Sequence, residues 1–306
     1  MNRLIGLLFI TICACGNDDS KIKDTNNDST TKLAVNNYGK QLNISILLDL
    51  SDRISPDIHP SKPEHFERDV AIIKGVADYF RNDMDRRGAF LSKGKIKVFF
   101  SPNPEDPEIN NLAKKLDVDL SGINNIQKKK IYDHISKNFE EATSKIYHLA
   151  IRQGKTDKFK GSDIWRFFKN DVRDYCINKD TNYRNILILM TDGYIYHSDS
   201  KDKSINRTAY LTSTLLQQEG LRKNPEWLKK FNDGDYGFLT KRNDLDDLEV
   251  LVLEVNPSEN YKNDEDMIKK YISKWFDEMH IKHYSIFNSD LPDNTRKRVV
   301  DFLSIK

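Results

Sequence analysis

The stretch NISILLDLSDRIS, residues 43–55, decides the fold. An apolar run from Ile44 to Leu48 stops at a carboxylate, Asp49, and polar residues follow. A short apolar run between polar residues is typical of a strand that is buried on both faces, as in a parallel sheet. Ligands of open α/β sheets bind beyond the carboxyl ends of such strands. The stretch therefore predicts a buried central strand with a functional edge directly after it.

A second stretch repeats this pattern. NILILMTDG, residues 185–193, is an apolar strand that ends in a hydroxyl, a carboxylate and a glycine, and a Gly-Ser step at 161–162 opens a helical pattern between the two strands. Because the carboxyl ends of parallel strands meet at one edge of a sheet, we expect these polar residues to converge there. Oxygen atoms are the ligands that Mg²⁺ and Mn²⁺ prefer. The candidate metal ligands are Asp49, Ser51, Ser162 and Asp192.

Apolar strands alternate with amphipathic helices along the rest of the chain. Further strands are predicted at 95–100, 116–120, 248–255 and 283–287. Apolar residues spaced three and four apart predict helices at 64–87, 107–115, 126–153, 161–177, 209–218, 225–231, 265–279 and 293–303. This alternation predicts an α/β fold, a doubly wound and mainly parallel sheet with helices on both faces.

Composition narrows the class of partner. The chain has 49 Lys and Arg against 47 Asp and Glu, a net charge of +2, so it lacks the basic excess of a nucleic-acid-binding protein. Its three cysteines provide no disulfide framework, no zinc-binding spacing and no redox pair. Cys176 lies in an apolar-periodic stretch, where a buried and inert side chain is expected. We expect no nucleic-acid partner and no cysteine chemistry in the body of the protein.

The N-terminus predicts export. Residues 1–14 contain Arg3 followed by a short apolar run, which is too short to span a bilayer and is typical of a signal peptide. Its last residues and the next one, ICAC at 12–15, resemble the lipobox of bacterial lipoproteins, in which cleavage precedes a cysteine that is then lipidated. That resemblance makes Cys15 the lipidated first residue of the mature chain. An ordinary secretory signal with an incidental cysteine is the alternative.

A polar segment follows the cysteine. Residues 15–40 are rich in Asn, Asp, Ser, Thr and Lys, and such a composition predicts a disordered tether ahead of one domain at 41–306. Asp18 and Asp19 resemble the export signal of surface-displayed lipoproteins in Bacteroidetes-type bacteria, although any polar tether accounts for them equally well. We therefore expect a lipid-anchored protein of the cell envelope, in the outer membrane, with display on the cell surface left open.

The body resembles a von Willebrand factor A-type domain. Asp49 and Ser51 match the first two positions of the family's Asp-x-Ser-x-Ser motif, Ser162 matches its threonine position, and Asp192 matches its last aspartate. The resemblance covers about residues 42–306 and implies a doubly wound fold and a divalent-cation adhesion site. It also implies a non-enzymatic binding function, in which a carboxylate of a protein partner completes the coordination of the cation.

Two features depart from the family pattern. Arg53 stands where the motif has its second serine, and a guanidinium stays protonated and does not ligate a cation. Either Arg53 turns outward and Ser55 or Asp52 serves instead, or its guanidinium takes the place of the metal by pairing with Asp49 or Asp192. The stretch 102–153 is also longer than the family's usual connection and is a candidate insertion.

Two other functions compete with the cation-dependent binding module. One is a metal-free structural protein of the envelope, whose site is degenerate because of Arg53. The other is a metal-dependent phosphohydrolase that uses the same edge. Asp49 would be its nucleophile in a haloacid-dehalogenase-like enzyme, but that family needs a second aspartate where this chain has Ser51. No nucleophile–base pair is evident in the sequence, so we expect the protein not to be an enzyme.

The lipoprotein interpretation predicts the effect of a substitution at Cys15. Cys15→Ser removes the thiol that would accept the lipid, so acyl labelling should be lost and an unprocessed precursor should accumulate. Metabolic labelling with a fatty acid and the mobility of the chain on a gel measure both outcomes. The matched control is Cys13→Ser, which leaves Cys15 in place and should be labelled as the parent is. Continued labelling of Cys15→Ser would show that the lipobox interpretation is wrong.

Overall fold

The computed structural model describes residues 39–157, 159–257, 261 and 263–305. The predicted signal peptide, Cys15 and nearly all of the predicted tether lie outside the described residues. The residues described belong to one compact unit, Tyr38–Lys306. None of their helices is long and apolar enough to cross a membrane.

Two sheets account for the strands of the described residues. In chain order the strands are β1 (Gln41–Leu48), β2 (Lys95–Phe99), β3 (Val118–Asp119), β4 (Tyr183–Met190), β5 (Lys203–Ser204), β6 (Arg207–Thr208), β7 (Gly237–Phe238), β8 (Leu248–Val255) and β9 (His283–Asn288). The main sheet has the order β3-β2-β1-β4-β8-β9, and only β3 in it runs antiparallel to its neighbour. A small sheet has the order β5-β6-β7.

Helices connect the strands of the main sheet. They are α1 (His65–Leu91), α2 (Pro107–Lys115), α3 (Asn125–Asp157), α4 (Ile164–Arg166), α5 (Val172–Cys176), α6 (Ser213–Gln218), α7 (Trp227–Asp233), α8 (Asp264–Glu278) and α9 (Pro292–Ser304). A 3₁₀ turn at Asp52–Ile54 follows β1, and a π-helical turn at Phe167–Asp171 joins α4 to α5.

Helices bury both faces of the main sheet, because alternate residues of each central strand point to opposite sides. In β1, Ile44, Ile46 and Leu48 belong to one core cluster with residues of α1, α2, α3 and α9. The intervening Leu47 belongs to a second cluster with residues of α4, α5 and α8. The same alternation runs through β4 and β8. The predicted α/β fold, doubly wound and mainly parallel with helices on both faces, is confirmed.

The chain winds outward from the middle of this sheet in both directions. From β1 it proceeds to β2 and β3 on one side, and from β4 it proceeds to β8 and β9 on the other. The order therefore reverses between β1 and β4, where Leu48 pairs with Met190. In open α/β sheets a crevice forms at such a switch point, beyond the carboxyl ends of the two strands. Asp49 and Thr191, the next residues of these strands, lie buried at the base of this crevice.

The largest departures from the sequence prediction lie between the strands. The stretch 102–153 contains α2, β3 and most of α3: β3 adds an edge strand to the main sheet, and both helices contribute residues to the core. The helix predicted at 161–177 begins only at Ile164 and changes to a π-helical turn. Gly161 has a φ of +77°, and a Cβ there would lie 2.8 Å from the carbonyl oxygen of Tyr196, so the chain crosses this point in a conformation reserved for glycine.

A bulge interrupts the end of β8. The register with β9 shifts between Val252 and Val255, and Glu254 has a φ of +69°. Its side chain is fully buried. The irregularity therefore places a carboxylate inside a strand that the sequence predicts to be apolar.

Candidate functional site

The four candidate ligands line one cleft at the carboxyl edge of the main sheet. Asp49, Ser51, Ser162 and Asp192 all contact this cleft, which has a volume of about 1000 Å³. Asp49 follows β1, Asp192 follows β4, and Ser162 precedes α4. Parallel strands deliver the two carboxylates to the same edge, as their sequence positions predict. The volume exceeds that of a hydrated ion, so the cleft also has room for a group of a larger ligand.

Hydrogen bonds fix the Asp49 carboxylate on the floor of the cleft. Its Oδ1 accepts the backbone N–H of Ser51 at 3.0 Å, and its Oδ2 accepts the hydroxyl of Thr191 at 2.9 Å. Asp49 itself is buried, and its backbone N–H donates to the carbonyl of Met190 across the switch point. Each carboxylate oxygen keeps a lone pair beyond these bonds. The side chain is therefore oriented in advance and retains the capacity to accept a cation or a donor.

The two hydroxyls differ in their surroundings. Ser162 is buried, and its Oγ accepts the backbone N–H of Leu50 at 3.3 Å, which leaves its proton and a second lone pair for other partners. Ser51 is half-buried. The bond from Leu50 ties the segment that precedes α4 to the end of β1, so Ser162 and Asp49 keep a fixed relation. Hydroxyl and carboxylate oxygens together form a donor set that suits a hard divalent cation.

Asp192 carries the clearest electrostatic signature of the site. Its Oδ1 accepts the backbone N–H of Tyr194 at 2.9 Å. Burial, and then the negative charge of Asp49, raise the pKa of Asp192 to about 7, while Arg53 acts in the opposite direction. Two carboxylates that face one cleft repel each other unless a positive charge or a proton lies nearby. The arrangement therefore favours a proton or a cation between them.

Arg53 adopts neither of the two arrangements expected from the sequence. It does not turn outward, since only 2% of its surface is exposed, and its guanidinium bonds to the carboxylate of Asp69 in α1 rather than to Asp49 or Asp192. The hydroxyl of Tyr147 donates to the same carboxylate at 2.7 Å. Nε and Nη1 of Arg53 are buried and have no hydrogen-bond partner. Asp49 and Asp192 are nevertheless close enough to help raise the pKa of Arg53.

The two proposed substitutes for the missing serine differ in position. Asp52 is exposed and faces His59, with 3.9 Å between its Oδ2 and the imidazole Nε2. Ser55 is buried, and its backbone N–H closes the 3₁₀ turn on the carbonyl of Asp52. Of these two residues, Asp52 contacts the cleft and Ser55 does not. Within the part of the chain that the structure describes, no three His, Cys, Asp or Glu side chains form a cluster that could hold a metal.

A second buried ion pair lies beside the first. Nε of Arg68 donates to Oε2 of Glu254 at 3.0 Å, and the hydroxyl of Ser289 donates to the same oxygen at 2.9 Å. Burial, and then the charge of Asp69, raise the pKa of Glu254. His65 contacts Arg68 through Nδ1 at 2.6 Å, and burial together with the positive charges of Arg68, Arg53 and His59 lowers its pKa to about 4.

Sequence reasoning missed this layer of charges, although the sequence contains a signal for it. Asp69 lies four residues before Ile73 and seven before Val76, on the face of α1 that packs in the core. Glu254 lies inside the apolar run LEVLVLEV. A carboxylate on a buried face needs a partner, so each of these residues predicts a buried cationic side chain nearby. The sequence does not identify which cation it is. The predicted burial of Cys176 is confirmed, and that burial raises the pKa of its thiol to about 12.

Comparisons with known proteins do not establish a family. No protein-family model matches the sequence, and no curated protein is similar to it. A solved structure of proximal thread matrix protein 1 from the mussel byssus is similar, with 12% sequence identity and a TM-score of 0.36. The match covers 87% of this chain and 48% of that chain, so this chain spans about half the length of the mussel protein.

The buried Arg53–Asp69 pair predicts a large loss of stability when one partner is removed. Asp69→Ala leaves the guanidinium buried without its counter-charge, so the free energy of unfolding should fall by about 3–5 kcal/mol. Urea denaturation measures the loss. The apolar replacement Arg53→Met with Asp69→Leu should recover most of it, because neither charge is then buried. Asp133→Ala, which breaks the exposed pair with Lys129, is the control and should cost less than about 1 kcal/mol.

The raised pKa of Asp192 predicts a pH dependence of stability. The folded chain holds a proton on Asp192 up to about pH 7, whereas the unfolded chain releases it near 3.8. The stability from this group is therefore present at pH 4 and below, and it is lost as the pH rises through 7. Asp192→Asn keeps a neutral side chain at every pH and should lose less stability than the parent between pH 5 and pH 8.

We expect this difference between the parent and Asp192→Asn to be about 2 kcal/mol. Each pKa unit corresponds to about 1.4 kcal/mol, and solvent at the open side of the half-buried carboxylate reduces the effect. Urea denaturation at the two pH values, in the presence of a chelator, measures it. The control is Asp199→Asn, whose exposed side chain should change nothing. The same pH dependence in parent and Asp192→Asn would contradict the assignment.

Proposed function

We propose that this protein is a lipid-anchored binding module of the cell envelope, with a fold of the von Willebrand factor A type. It recognises a protein partner in the cleft at the carboxyl edge of the sheet. Asp49, Ser51, Ser162 and Asp192 would hold a divalent cation there, Mg²⁺ or Mn²⁺, which would supply a Lewis-acidic contact for a carboxylate of the partner. Its place is the outer membrane, and display on the cell surface is part of the proposal only if the acidic pair Asp18-Asp19 acts as an export signal.

The observation that carries the proposal is the placement of two carboxylates on adjacent strand ends, facing one cleft. Burial, and then the negative charge of Asp49, raise the pKa of Asp192, and a cation between the two carboxylates would offset their repulsion. The Arg53 guanidinium bonds to Asp69, so it is not hydrogen-bonded between Asp49 and Asp192. The serine oxygens of the same cleft add neutral ligands of the kind that hard cations accept.

The chain's own groups do the recognition and need no covalent chemistry. Asp49 is held in place by the Ser51 N–H and the Thr191 hydroxyl, so it keeps its orientation when a ligand enters. Ser162 is held by the Leu50 N–H. A generic phosphatase assay tests the hydrolase alternative.

A metal-free structural role is the second candidate, and Arg53 favours it. The guanidinium is near enough to Asp49 and Asp192 to feel both charges, and it lowers the pKa of Asp192. In this version Arg53 serves as the permanent cation of the site, and the cleft binds no metal. The double substitution Arg53→Ser with Asp69→Asn removes the buried pair together and should then create a response to Mg²⁺.

A thermal melt with and without Mg²⁺ separates the two candidates. At a cation concentration of about 100 times the dissociation constant, binding should stabilise the fold by roughly 2.7 kcal/mol and raise the melting temperature. Asp192→Asn and Ser162→Ala should each reduce that rise, because each removes a ligand or its charge. Asp199→Asn, an exposed carboxylate on a nearby loop, is the matched control and should respond as the parent does. An unchanged melting temperature in Mg²⁺ and in Mn²⁺ would overturn the cation-dependent function.

A further inference from the structure

Two of the most exposed large apolar side chains lie where α1 ends and α3 begins. Phe90, at the end of α1, is 77% exposed, and Ile126, at the start of α3, is 73% exposed. The two helix ends are held together by Lys128, whose Nζ donates to the carbonyls of Ala89 at 2.9 Å and Ser92 at 2.6 Å. We call residues 86–93 and 123–130 the α1–α3 junction. Water solvates such side chains poorly, so an apolar or interfacial contact would stabilise them.

Positive charge surrounds this pair. Lys93, Lys129 and Lys130 are exposed at the junction, and in the described ion pairs only Lys129 has a carboxylate partner, Asp133. Lys128 itself is buried, and its pKa is lowered by that burial and by the charge of Lys93. The junction therefore combines apolar side chains with two exposed lysines, Lys93 and Lys130, that have no carboxylate partner among the described ion pairs. That combination matches the boundary of an anionic bilayer, with acyl chains below and phosphates above.

The chain enters the folded body at the same place. Arg87 donates through Nη1 to the carbonyl of Gly39 at 3.2 Å and through Nη2 to that of Lys40 at 2.7 Å. Gln41 donates to the carbonyl of Leu91 at 3.0 Å and accepts the N–H of Lys93 at 3.0 Å. About two dozen residues separate Cys15 from this point, and a chain of that length with the composition of the predicted tether would have a root-mean-square span of roughly 25–30 Å. A lipid on Cys15 would keep the junction within reach of the bilayer.

We infer that the α1–α3 junction docks on the surface of an anionic lipid bilayer, next to the anchor. Phe90 and Ile126 enter the headgroup boundary, while Lys93, Lys129 and Lys130 meet lipid phosphates. The inference rests on the proposed function only for the anchor at Cys15. The lipid on Cys15 would be one membrane contact and the junction a second. Because the anchor already holds the chain at the bilayer, the second contact forms within one complex, and two contacts fix the orientation of the domain.

This orientation has a consequence for the cleft. The junction lies at the amino end of the parallel strands, since β1 and β2 begin beside it, and the cleft lies at their carboxyl end. A strand of eight residues, as β1 is, spans about 26 Å. Docking through the junction therefore holds the cleft on the far side of the domain from the bilayer, open to a partner in solution or on another cell.

The inference is tested by fluorescence quenching on vesicles with the full chain. A fluorophore is attached to a cysteine that replaces Ala89, which is exposed at the junction, or Ile205, which is 86% exposed in the β5–β6 region. Cys13 is replaced by serine in both, the thiol of Cys15 is occupied by its lipid, and the buried Cys176 will not react. Where the chain carries no lipid, Cys15 is replaced by serine as well before labelling. The chains are mixed with vesicles of equal parts phosphatidylglycerol and phosphatidylcholine that contain a lipid with a quencher on its acyl chain.

We expect strong quenching of the label at residue 89 and little quenching at residue 205. In vesicles of phosphatidylcholine alone, or in high salt, quenching at 89 should fall several-fold because the electrostatic contribution is lost. Phe90→Ser with Ile126→Ser should abolish it, and melting of this variant shows whether it is folded. A basic-side variant, Lys93→Gln with Lys130→Gln, should reduce quenching on anionic vesicles alone.

Each outcome bears on one claim. Equal quenching at 89 and 205 in a chain that carries the acyl label overturns docking and leaves the anchor in place. A chain without acyl label that is still quenched at 89 supports docking and overturns the anchor. A shielded label at 89 that depends on protein concentration, without vesicles, would assign the junction to a second copy of the chain and overturn the lipid inference. None of these results depends on the Mg²⁺ response of the cleft.

Discussion

The ion pair between Arg53 and Asp69 is the constraint on which the carboxyl edge depends. The Arg53 guanidinium lies under the cleft, almost completely shielded from water. It bonds to the Asp69 carboxylate, which also accepts the hydroxyl of Tyr147. Burying a charge is costly unless a partner compensates it, so α1 and α3 must both pack where they do. The pair thus links the 3₁₀ turn after β1 to two helices on one face of the sheet.

The cleft inherits its electrostatics from this arrangement. A guanidinium placed between Asp49 and Asp192 would neutralise them, whereas one that bonds to Asp69 reduces their repulsion without removing it. Asp192 therefore keeps a pKa near neutrality, between the values of an ordinary carboxylic acid and of a fully desolvated one. The second pair, Arg68 with Glu254, places another compensated charge beneath the same edge. The carboxyl edge thus has two buried arginines, Arg53 and Arg68. Its buried or half-buried carboxylates are more numerous, namely Asp49, Asp69, Asp192 and Glu254, and the edge is therefore acidic.

The sequence was sufficient for the sheet and for the positions of the strand-end residues. Runs such as ILILM become central strands because only a two-sided burial accommodates them, and parallel pairing then brings Asp49 and Asp192 to one edge. The partner of Arg53 was beyond reach, because Asp69 lies one helix away and only packing decides which carboxylate a guanidinium meets. The two-residue strands of the small sheet carry no periodicity, and the π-helical turn has no sequence pattern that distinguishes it from an α-helix.

The bulge near the end of β8 constrains any exchange of the loop that follows this strand. The bulge adds one residue to β8 between Val252 and Val255, and this residue sets the direction of the chain that follows. With the bulge in place, the N–H of Asn256 donates to the carbonyl of Asp192. Side chains of a strand alternate, so deleting a single residue would swap the inward and outward positions of everything after it. The deletion would also shift Asn256 and Pro257, which line the cleft, by one position. A graft that follows β8 must therefore preserve the residue count from Val252 as strictly as it preserves composition.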